Sequence, residues 1–584
     1  NSPYAFKLST STYWYSKSEF ASVILLTIKN NQLMQLKKLF NPLLLAGLFV
    51  SSTAIAQTQV IYNANGYTPL YQGGIQTFST LVIKNGKVVK TGDDTLKNTF
   101  PDAKLIDAKG NTLLPGLIDA HGHVIGLGDN LSQLDVRGAK SVAEITTKLE
   151  QFAKNKQGWI LGRGWNQELW SDTRFPTAKD LDKVVNDRPV VLSRVDSHAI
   201  WVNSKALELA GITAATQAPD GGEIIKDEFG NPTGIFVDKA ESLITQHMSA
   251  PSKQAISDSL DAAGAHLLSL GITSTHDAGI DKTTWEVYKE RSEQGNLPLR
   301  IVAMLSAASP DLKHMLKAGR YQDAASFMSI RSVKVYADGA LGSRGAALID
   351  DYADRKNHHG LMLETQAKLE ELFTLSFKNG FSANTHAIGD KANKVVLDAY
   401  QNVFKQTGGM LLRNRIEHAQ IVTPDDIPRF KALKIIPSMQ PVHATSDMHM
   451  AQQRLTDSQL QGAYAWQTFL KQGSVIAAGS DYPVELANPF DGLYSAITRM
   501  DHNMLPENGW RTSEVLSREQ ALRAFTLGGA YAAHQEFKIG SLENGKWADF
   551  ILIDKDYFKA PVDEIYKTQV LQTWVAGELR FKKE

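Results

Sequence analysis

The middle of this chain, roughly residues 112–530, alternates short apolar runs typical of β-strands with helical patterns. Repeated strand–helix units over this length favour an α/β fold in which a parallel sheet closes into a (β/α)8 barrel. A doubly wound open sheet is the structural alternative, but no strand-like run here is followed by the Gly-x-Gly-x-x-Gly of a dinucleotide site. After the first strand, further strands are predicted at residues 272–276, 300–304, 332–336, 381–385, 414–417, 434–438 and 474–478, and helices at 252–270, 367–379 and 391–406.

Two β-rich segments flank this middle part. Residues 57–112 contain short strand-like runs, with Asn85-Gly86 as a two-residue hairpin turn, and residues 531–584 repeat the pattern. We therefore expect one small β-sandwich built from both ends of the chain, beside a barrel that spans 113–530. The segment from about 155 to 248 is rich in Trp, Gly and Asp and fits the strand–helix rhythm poorly, so it is expected to be an insertion over the barrel mouth.

Residues 34–56 have the layout of a secretory signal peptide. A basic start at Lys37-Lys38 is followed by an apolar run from residue 39 to 50 and by the cleavage pattern Ala54-x-Ala56. Cleavage after Ala56 predicts a secreted or periplasmic protein. The apolar run is too short to span a bilayer, and a chain without cysteine carries no lipidated cysteine, so no stable membrane anchor is expected. Residues 1–33 precede Met34 and are expected to be upstream or cloning-derived sequence.

Composition excludes several classes of protein. The 584 residues are 43% hydrophobic and 21% charged, which is ordinary for a globular chain with more than one domain. A formal net charge of zero provides no electrostatic footprint for nucleic acid. The absence of cysteine rules out disulfides, zinc–thiolate sites and a cysteine nucleophile. The expected partner is a small-molecule substrate, and a homo-oligomer remains open.

Candidate metal ligands lie where the predicted barrel strands end. The apolar run that begins at Leu114 ends in His121 and His123, which share one face of a strand because they are two residues apart. Imidazole is the commonest metal-binding side chain, so this pair can grip one ion. Barrel enzymes carry their chemistry at the rim formed by the carboxyl ends of the strands, where ligands from separate strands converge. The other candidates at predicted strand ends are Lys334, His386, His418 and Asp481.

Taken together, these motifs resemble those of the amidohydrolase superfamily of metal-dependent hydrolases, and in particular the branch of N-substituted formamide deformylase. The resemblance extends over nearly all of the chain that follows residue 56, and it implies a barrel with a terminal β-sandwich. It rests on residues 115–123, 194–204, 230–234, 334–344, 386–390, 417–419, 479–481 and 540–549.

The resemblance implies a role for each candidate ligand. His121 and His123 would hold the more buried metal ion together with Asp481, and His386 and His418 would hold a second ion. The metal is expected to be zinc, as one or two ions, because some members of the superfamily use a single metal. Asp481 would also take the proton from the attacking water and pass it to the leaving nitrogen.

Lys334 falls where the superfamily carries a bridging carboxylate. The resemblance implies that this lysine reacts with CO₂ and becomes a carbamate, an anionic oxygen ligand. An unmodified ammonium group has no lone pair to offer a metal. The alternative is an ordinary salt bridge, for example to Asp338.

Two further residues are candidates for contact with the substrate. His198, in the predicted insertion, would face the substrate or a transition-state oxygen, and the alternative is a histidine hydrogen-bonded within a packed subdomain. Arg344 follows Gly342-Ser343 in a loop flexible enough to reach a substrate carboxylate or carbonyl, and the alternative is an ordinary loop arginine.

The sequence thus predicts a metal-dependent hydrolase that uses a metal-activated water to cleave a non-peptide C–N bond, that of an amide or formamide. The same machinery would also cleave an ester or lactone, so an esterase or lactonase on this site is one alternative. A non-catalytic exported metal- or solute-binding protein is a second. It is disfavoured because Asp481 occupies a catalytic position and a pure binder does not need an open metal.

Overall fold

The computed structural model describes residues 58–154, 156–167, 170–194, 199–219, 222–248 and 250–584. The predicted signal peptide and the segment before Met34 lie outside these ranges. Within the part of the chain described, no helix is both long enough and apolar enough to cross a membrane.

Eight parallel strands within these residues form a nearly closed barrel, which confirms the predicted fold class. Each strand pairs with the next in chain order, and every pairing along this path is parallel. A two-residue strand, Tyr321–Gln322, adds to the outside of the fourth strand. The barrel strands are β1 (Leu117–Gly122), β2 (Ile272–Ile280), β3 (Arg300–Ser306), β4 (Met328–Tyr336), β5 (Ser382–Ala387), β6 (Arg415–His418), β7 (Ile436–Met439) and β8 (Ala477–Ala478).

The barrel closes between β8 and β1 through the chain that follows β8. The main-chain N–H of Asp481 donates to the carbonyl oxygen of His121 at 2.7 Å, and the N–H of His123 donates to that of Tyr482 at 2.8 Å. Gly479 makes this approach feasible, because a Cβ atom there would lie 2.5 Å from the main-chain nitrogen of His121. The buried carboxylate of Asp119 accepts hydrogen bonds from the main-chain N–H and the hydroxyl of Ser480. The metal-ligand candidates of β1 and of the loop after β8 are therefore joined directly.

Helices cover the outside of the barrel because each has an apolar face that the strands can bury. Asp390–Thr407, for example, buries Val396, Leu397, Tyr400 and Val403 on one face. The α-helices around the barrel are Val124–Ser132, Lys253–Ser269, Lys282–Glu293, Leu312–Lys317, Gln366–Lys378, Asp390–Thr407, Ile427–Ala432, Pro441–Arg454, Asp457–Gln461, Trp466–Lys471, Pro489–Thr498, Arg518–Arg523 and Gly529–Ala532, with a π-helix at Ala524–Gly528 and 3₁₀ turns at Met410–Leu412, Thr512–Glu514 and Val562–Glu564.

Both ends of the described chain build a pair of packed sheets, as the sequence predicts. The C-terminal strand Phe550–Ile553 pairs antiparallel with Thr112–Pro115 from the N-terminal half. Asn85 and Gly86 both have positive φ, as a two-residue hairpin turn requires. In spatial order, the strands of the first sheet are Lys87–Gly92, Thr80–Lys84, Gln59–Tyr62 and Lys104–Asp107. Those of the second sheet are Glu578–Lys582, Val570–Val575, Phe550–Ile553, Thr112–Pro115, Asn65–Pro69 and Ile75–Phe78. One short helix, Leu96–Thr99, belongs to the same part of the chain.

A third sheet forms between β1 and β2, where the insertion is predicted. The inserted segment begins at Leu134, upstream of the start near residue 155 that the sequence predicts. Leu134, Ile145 and Leu149 belong to it because they pack into one apolar cluster with Val190 and Trp201. In spatial order its strands are Gly222–Lys226, Pro232–Asp238, Ala199–Val202, Val190–Arg194, Ile160–Trp165 and Leu134–Asp135, and its helices are Val142–Ala153, Ala178–Asp182, Ser204–Leu209, Ser242–Thr245 and the 3₁₀ turn Lys239–Glu241.

Candidate metal centre

The six metal ligands predicted from the sequence line one cavity at the carboxyl ends of the barrel strands. The cavity has a volume of about 370 Å³. Each ligand comes from a strand end or from the loop directly after one, so the barrel brings together residues that are hundreds of positions apart. These residues are His121, His123, Lys334, His386, His418 and Asp481.

Asp481 lies between two groups of imidazoles. Its Oδ1 atom is 3.3 Å from His123 Nε2 and 3.6 Å from His121 Nε2, and its Oδ2 atom is 3.9 Å from His443 Nε2. Burial alone would raise the pKa of Asp481, but His121 and His123 beside it hold that pKa well below its usual range. The carboxylate is therefore anionic and surrounded by nitrogen donors, which is the composition of a divalent-metal site.

Three of the imidazoles, those of His121, His386 and His418, are held neutral, as metal ligands must be. Burial lowers the pKa of His121 to about 4 and that of His386 to about 3, and the nearby positive charge of Lys334 adds to both shifts. Burial also lowers the pKa of His418 well below its usual range. Each of these side chains consequently has a lone pair available at neutral pH.

Two hydrogen bonds fix which ring nitrogen carries the proton. His121 Nδ1 lies 2.5 Å from Glu417 Oε2, and His418 Nδ1 lies 2.8 Å from Gln440 Oε1. Carboxylate and amide oxygens only accept hydrogen bonds, so Nδ1 is the donor in both rings. Nε2 is left with its lone pair in each, and in His121 this atom faces Asp481 and Lys334.

The backbone is strained at two of the ligands. His418 has φ +73° and Asp481 has φ +64°, a left-handed region that residues other than glycine adopt at a cost of about 1–3 kcal/mol. Neighbouring residues of a strand normally point to opposite faces, yet Glu417 and His418 both contact His121. The turn at His418 lets two consecutive side chains serve the same site.

Lys334 is fully buried beside these ligands. Its Nζ atom is 3.2 Å from His121 Nε2 and 4.9 Å from the centre of the Tyr336 ring. The alternative salt bridge to Asp338 does not form, because the carboxylate of Asp338 accepts the main-chain N–H groups of Ala347, Ile388 and Gly389 instead. Burial lowers the pKa of Lys334 to about 8.

The donor set fits a metal ion by its own geometry. Within the described ranges, His121, His123 and Asp481 form one group whose ligand atoms lie within 4.8 Å of one another, and His418, His443 and Asp481 form a second. Among these same residues, the buried Nε2 atom of His443 and Oδ1 atom of Asp481 have no hydrogen-bond partner. Buried polar atoms are rarely left without a partner. Two such atoms that converge, each with a lone pair to offer, therefore point to a bound cation.

His443 and Gln440 enlarge the set found from the sequence. The predicted seventh strand ends at residue 438, so the sequence places residues 440–443 directly after it, but it assigns no ligand there. His443 is in the first turn of Pro441–Arg454, and its ring stacks on that of His418 with centroids 5.8 Å apart. The structure groups His418 with His443, whereas the resemblance implies a pairing with His386. His386 lies close by, its ring centroid 4.5 Å from that of His418.

The two predicted substrate contacts have different outcomes. His198 lies outside the described residues. Arg344 forms a two-pronged ion pair with Asp354, through Nε at 3.1 Å and Nη2 at 2.6 Å, and it is not part of the cavity lining. Its contact with a substrate remains a prediction.

The cavity wall beyond the candidate ligands has both apolar and polar side chains. Tyr336, Leu341, Ile388 and Val484 line it together with Gln420, Asp447 and Glu485. The site therefore combines a polar metal-binding floor with a wall able to contact an apolar group.

Comparison with known proteins shows similarity to the amidohydrolase family and to a metal-dependent hydrolase. The model of the amidohydrolase family matches residues 104–581. Protein LONG AFTER FAR-RED 3 of Arabidopsis thaliana is 32% identical over 517 residues, which cover 85% of this chain and 88% of that protein. N-substituted formamide deformylase of Arthrobacter pascens is 26% identical over 522 residues, 86% of this chain and 95% of that one. The crystal structure of an uncharacterized metal-dependent hydrolase from Pyrococcus furiosus is 29% identical with a TM-score of 0.73, and the match covers 86% of this chain and all of that chain.

Proposed function

The chain belongs to the amidohydrolase family and is a metal-dependent hydrolase, and from this premise we propose that it cleaves a non-peptide C–N bond, that of an amide or formamide of a small molecule. The similarity to a protein named N-substituted formamide deformylase supports this choice of bond. An ester or lactone would meet the same catalytic groups, so bond type is the property that the experiment must test.

One observation carries the proposal. Asp481 lies between His121 and His123 on one side and His443 on the other, with a buried Oδ1 atom that no described residue satisfies. A carboxylate in this position can hold a metal and still reach a water molecule in the cavity. Asp481 can therefore serve both as a metal ligand and as the acceptor of the proton of that water.

The chemistry needs a metal and a proton carrier. A divalent ion held by the histidines and Asp481, which we expect to be zinc, supplies a Lewis acid and lowers the pKa of water. Asp481 accepts the proton of the attacking water and returns it to the leaving nitrogen, as general base and then general acid. Removing the proton makes the water a better nucleophile, and delivering it to the nitrogen is required because the amine leaves as a neutral molecule only when that nitrogen is protonated.

Lys334 acts in this proposal as its carbamate. Its ammonium group is fully buried, and a bare cation 3.2 Å from the Nε2 atom of His121 would repel the metal that this histidine binds. Reaction of the free amine with CO₂ forms an N–C bond, releases one proton and leaves an anion with two oxygen donors. The change converts a repulsive neighbour into a ligand.

The walls of the cavity favour a substrate with one apolar substituent. Leu341, Ile388 and Val484 offer an apolar surface, and a volume of about 370 Å³ suits a small molecule rather than a folded protein. Tyr336 extends this wall close to His386, with ring centroids 5.7 Å apart. The substituent on the amide nitrogen would lie here while the acyl carbon faces Asp481.

The test is a matched substrate screen on the purified protein. We expect the zinc-loaded enzyme to hydrolyse N-formyl or N-acetyl amines faster than the corresponding esters and lactones. Activity should disappear with a chelator and return with zinc. Faster turnover of the esters would contradict the proposal and identify the protein as an esterase. Full metal occupancy without any turnover would favour a binding protein.

A further inference from the structure

Glu417 holds one of the metal ligands from behind. Its Oε2 atom accepts the Nδ1 proton of His121 at 2.5 Å, on the side of the ring opposite the cavity. Both side chains are fully buried. His121 therefore has one orientation in which its Nε2 lone pair faces the metal site, and Glu417 defines that orientation.

Arg415 in turn holds Glu417. Its Nε atom lies 2.7 Å from Glu417 Oε1, and its Nη2 atom donates to Glu417 Oε2 at 2.8 Å. The first contact is a close ion pair and the second is a charge-assisted hydrogen bond, so the guanidinium group holds the carboxylate at both of its oxygens.

Arg415 also ties this pair to three other barrel strands. Its guanidinium donates to the main-chain oxygen of Ala120 at 2.6 Å in β1, to His276 Nδ1 at 2.8 Å in β2 and to Ser438 Oγ at 2.6 Å in β7. Because the strands fix these acceptors, the position of the guanidinium is fixed as well. The orientation of His121 thus depends on contacts spread over four strands.

The proposed chemistry uses neither Glu417 nor Arg415. Neither residue lines the cavity, so neither touches a substrate. A buried pair of charges also adds little to the stability of a protein compared with apolar residues of the same size. Their presence directly behind a metal ligand calls for a function other than general stability.

We infer that Glu417 is a positioning residue for the metal centre, which selects the tautomer of His121 and directs its Nε2 atom toward the site, and that Arg415 keeps Glu417 in place. This inference rests on the proposed metal site but not on the identity of the substrate. Carboxylates behind metal-bound histidines typically contribute a factor of about 10–100 in metal affinity.

The test compares two buried carboxylates. Glu417→Gln keeps the shape of the side chain but removes its charge. The control is Asp549→Asn, since Asp549 is also a buried carboxylate paired with a buried arginine: it accepts hydrogen bonds from Arg300 at 2.7 and 2.9 Å, between β3 and the β-sandwich. Zinc affinity is measured by competition with a chromophoric chelator, and stability by thermal unfolding of the metal-free proteins.

We expect E417Q to bind zinc about 10–100-fold more weakly, and D549N to bind it as the wild type does although it is less stable. The absorption spectrum of the cobalt-substituted protein, which reports ligand geometry, should change in E417Q and stay unchanged in D549N. Equal zinc affinities of E417Q and wild type, or equal losses in both variants, would overturn the inference.

A double variant keeps the test decisive if E417Q alone does not fold. Arg415→Met combined with Glu417→Gln removes both buried charges, so stability should largely return while zinc affinity stays low. Recovery of wild-type zinc affinity in the double variant would show that Glu417 merely neutralises Arg415. A wild-type protein that binds no zinc would refute the proposed function itself before any variant is compared.

Discussion

The main-chain N–H of Asp481 donates to the main-chain oxygen of His121 at 2.7 Å, at the gap where the barrel closes. This bond joins the loop after β8 to β1, which carries the candidate ligand His121 and leads directly to His123. The carboxylate of Asp481 is therefore placed by the same contact that closes the barrel. Changes at this closure should affect metal binding and stability together.

Gly479→Ala tests that coupling. The added Cβ would lie 2.5 Å from the main-chain nitrogen of His121 and 2.6 Å from Asp119 Oδ1, so the two chain segments must move apart. We expect a loss of about 1–3 kcal/mol in the free energy of unfolding, as for other overpacked sites, and weaker zinc binding. In the control Gly126→Ala, inside the helix Val124–Ser132, the nearest atom is 3.6 Å away, so stability should stay the same or rise by up to about 1 kcal/mol. Equal behaviour of the two variants in urea unfolding would contradict the coupling.

Asp481→Asn should abolish most of the turnover. The amide keeps the shape of the side chain but cannot take up the proton of the attacking water, and loss of such a group typically slows a reaction by about 10²–10⁴. Turnover is compared at equal metal content, determined by elemental analysis. The control is Asp447→Asn. Asp447 lines the same cavity and accepts hydrogen bonds from Gln420 and Tyr464, and this variant should retain most activity. An Asp481→Asn enzyme that turns over normally with its metal in place would assign the proton transfer to another residue, and His198 would be examined first.

Lys334→Ala should lose both metal and activity. Without the side chain the proposed carbamate cannot form, and the proposed ligand set would lose an anionic member. A short carboxylic acid added to the variant should restore part of the activity, because it can occupy the vacated space. In the wild type, ¹³C-labelled CO₂ should produce a carbamate signal. A metal-loaded, active enzyme whose Lys334 remains a free amine would disprove this role.

His443→Ala should reduce the metal content. The Nε2 atom of His443 is buried without a hydrogen-bond partner among the described residues and lies 3.9 Å from Asp481 Oδ2, so it has the position of a ligand. His449→Ala, at an exposed position of the same helix, is the matched control. We expect fewer zinc ions per chain in the first variant and an unchanged number in the second. Equal zinc content in both variants would show that His443 lines the cavity but does not bind the metal.

Expression in a host that exports proteins should release a chain that begins at Gln57. The layout of residues 34–56 motivates this prediction, and the proposed location is the periplasm or the medium. N-terminal sequencing of the purified protein checks it. Replacement of Ala56 by a bulky residue should block processing, whereas a mature chain that retains residues before Met34 would be incompatible with export by this signal.

Much of the site is predictable because strand periodicity is a local property. His121 and His123 lie two residues apart at the end of an apolar run, and the runs before His386 and His418 end in the same way. Parallel strands of a barrel end at one rim, so these histidines must converge there. The sequence alone therefore indicates the barrel, its terminal sandwich and the main ligands.

Only the tertiary structure decides which side chains complete that site. Glu417 and His418 both contact His121 because φ at His418 is positive, which no strand periodicity predicts. His443 belongs to the site because its helix begins directly above β7, and Arg415 reaches three other strands through the barrel interior. Local sequence determines where strands and helices form, since that depends on neighbours along the chain. Ligand completion and orientation depend on distances between segments far apart in sequence, which exist only once the barrel has closed.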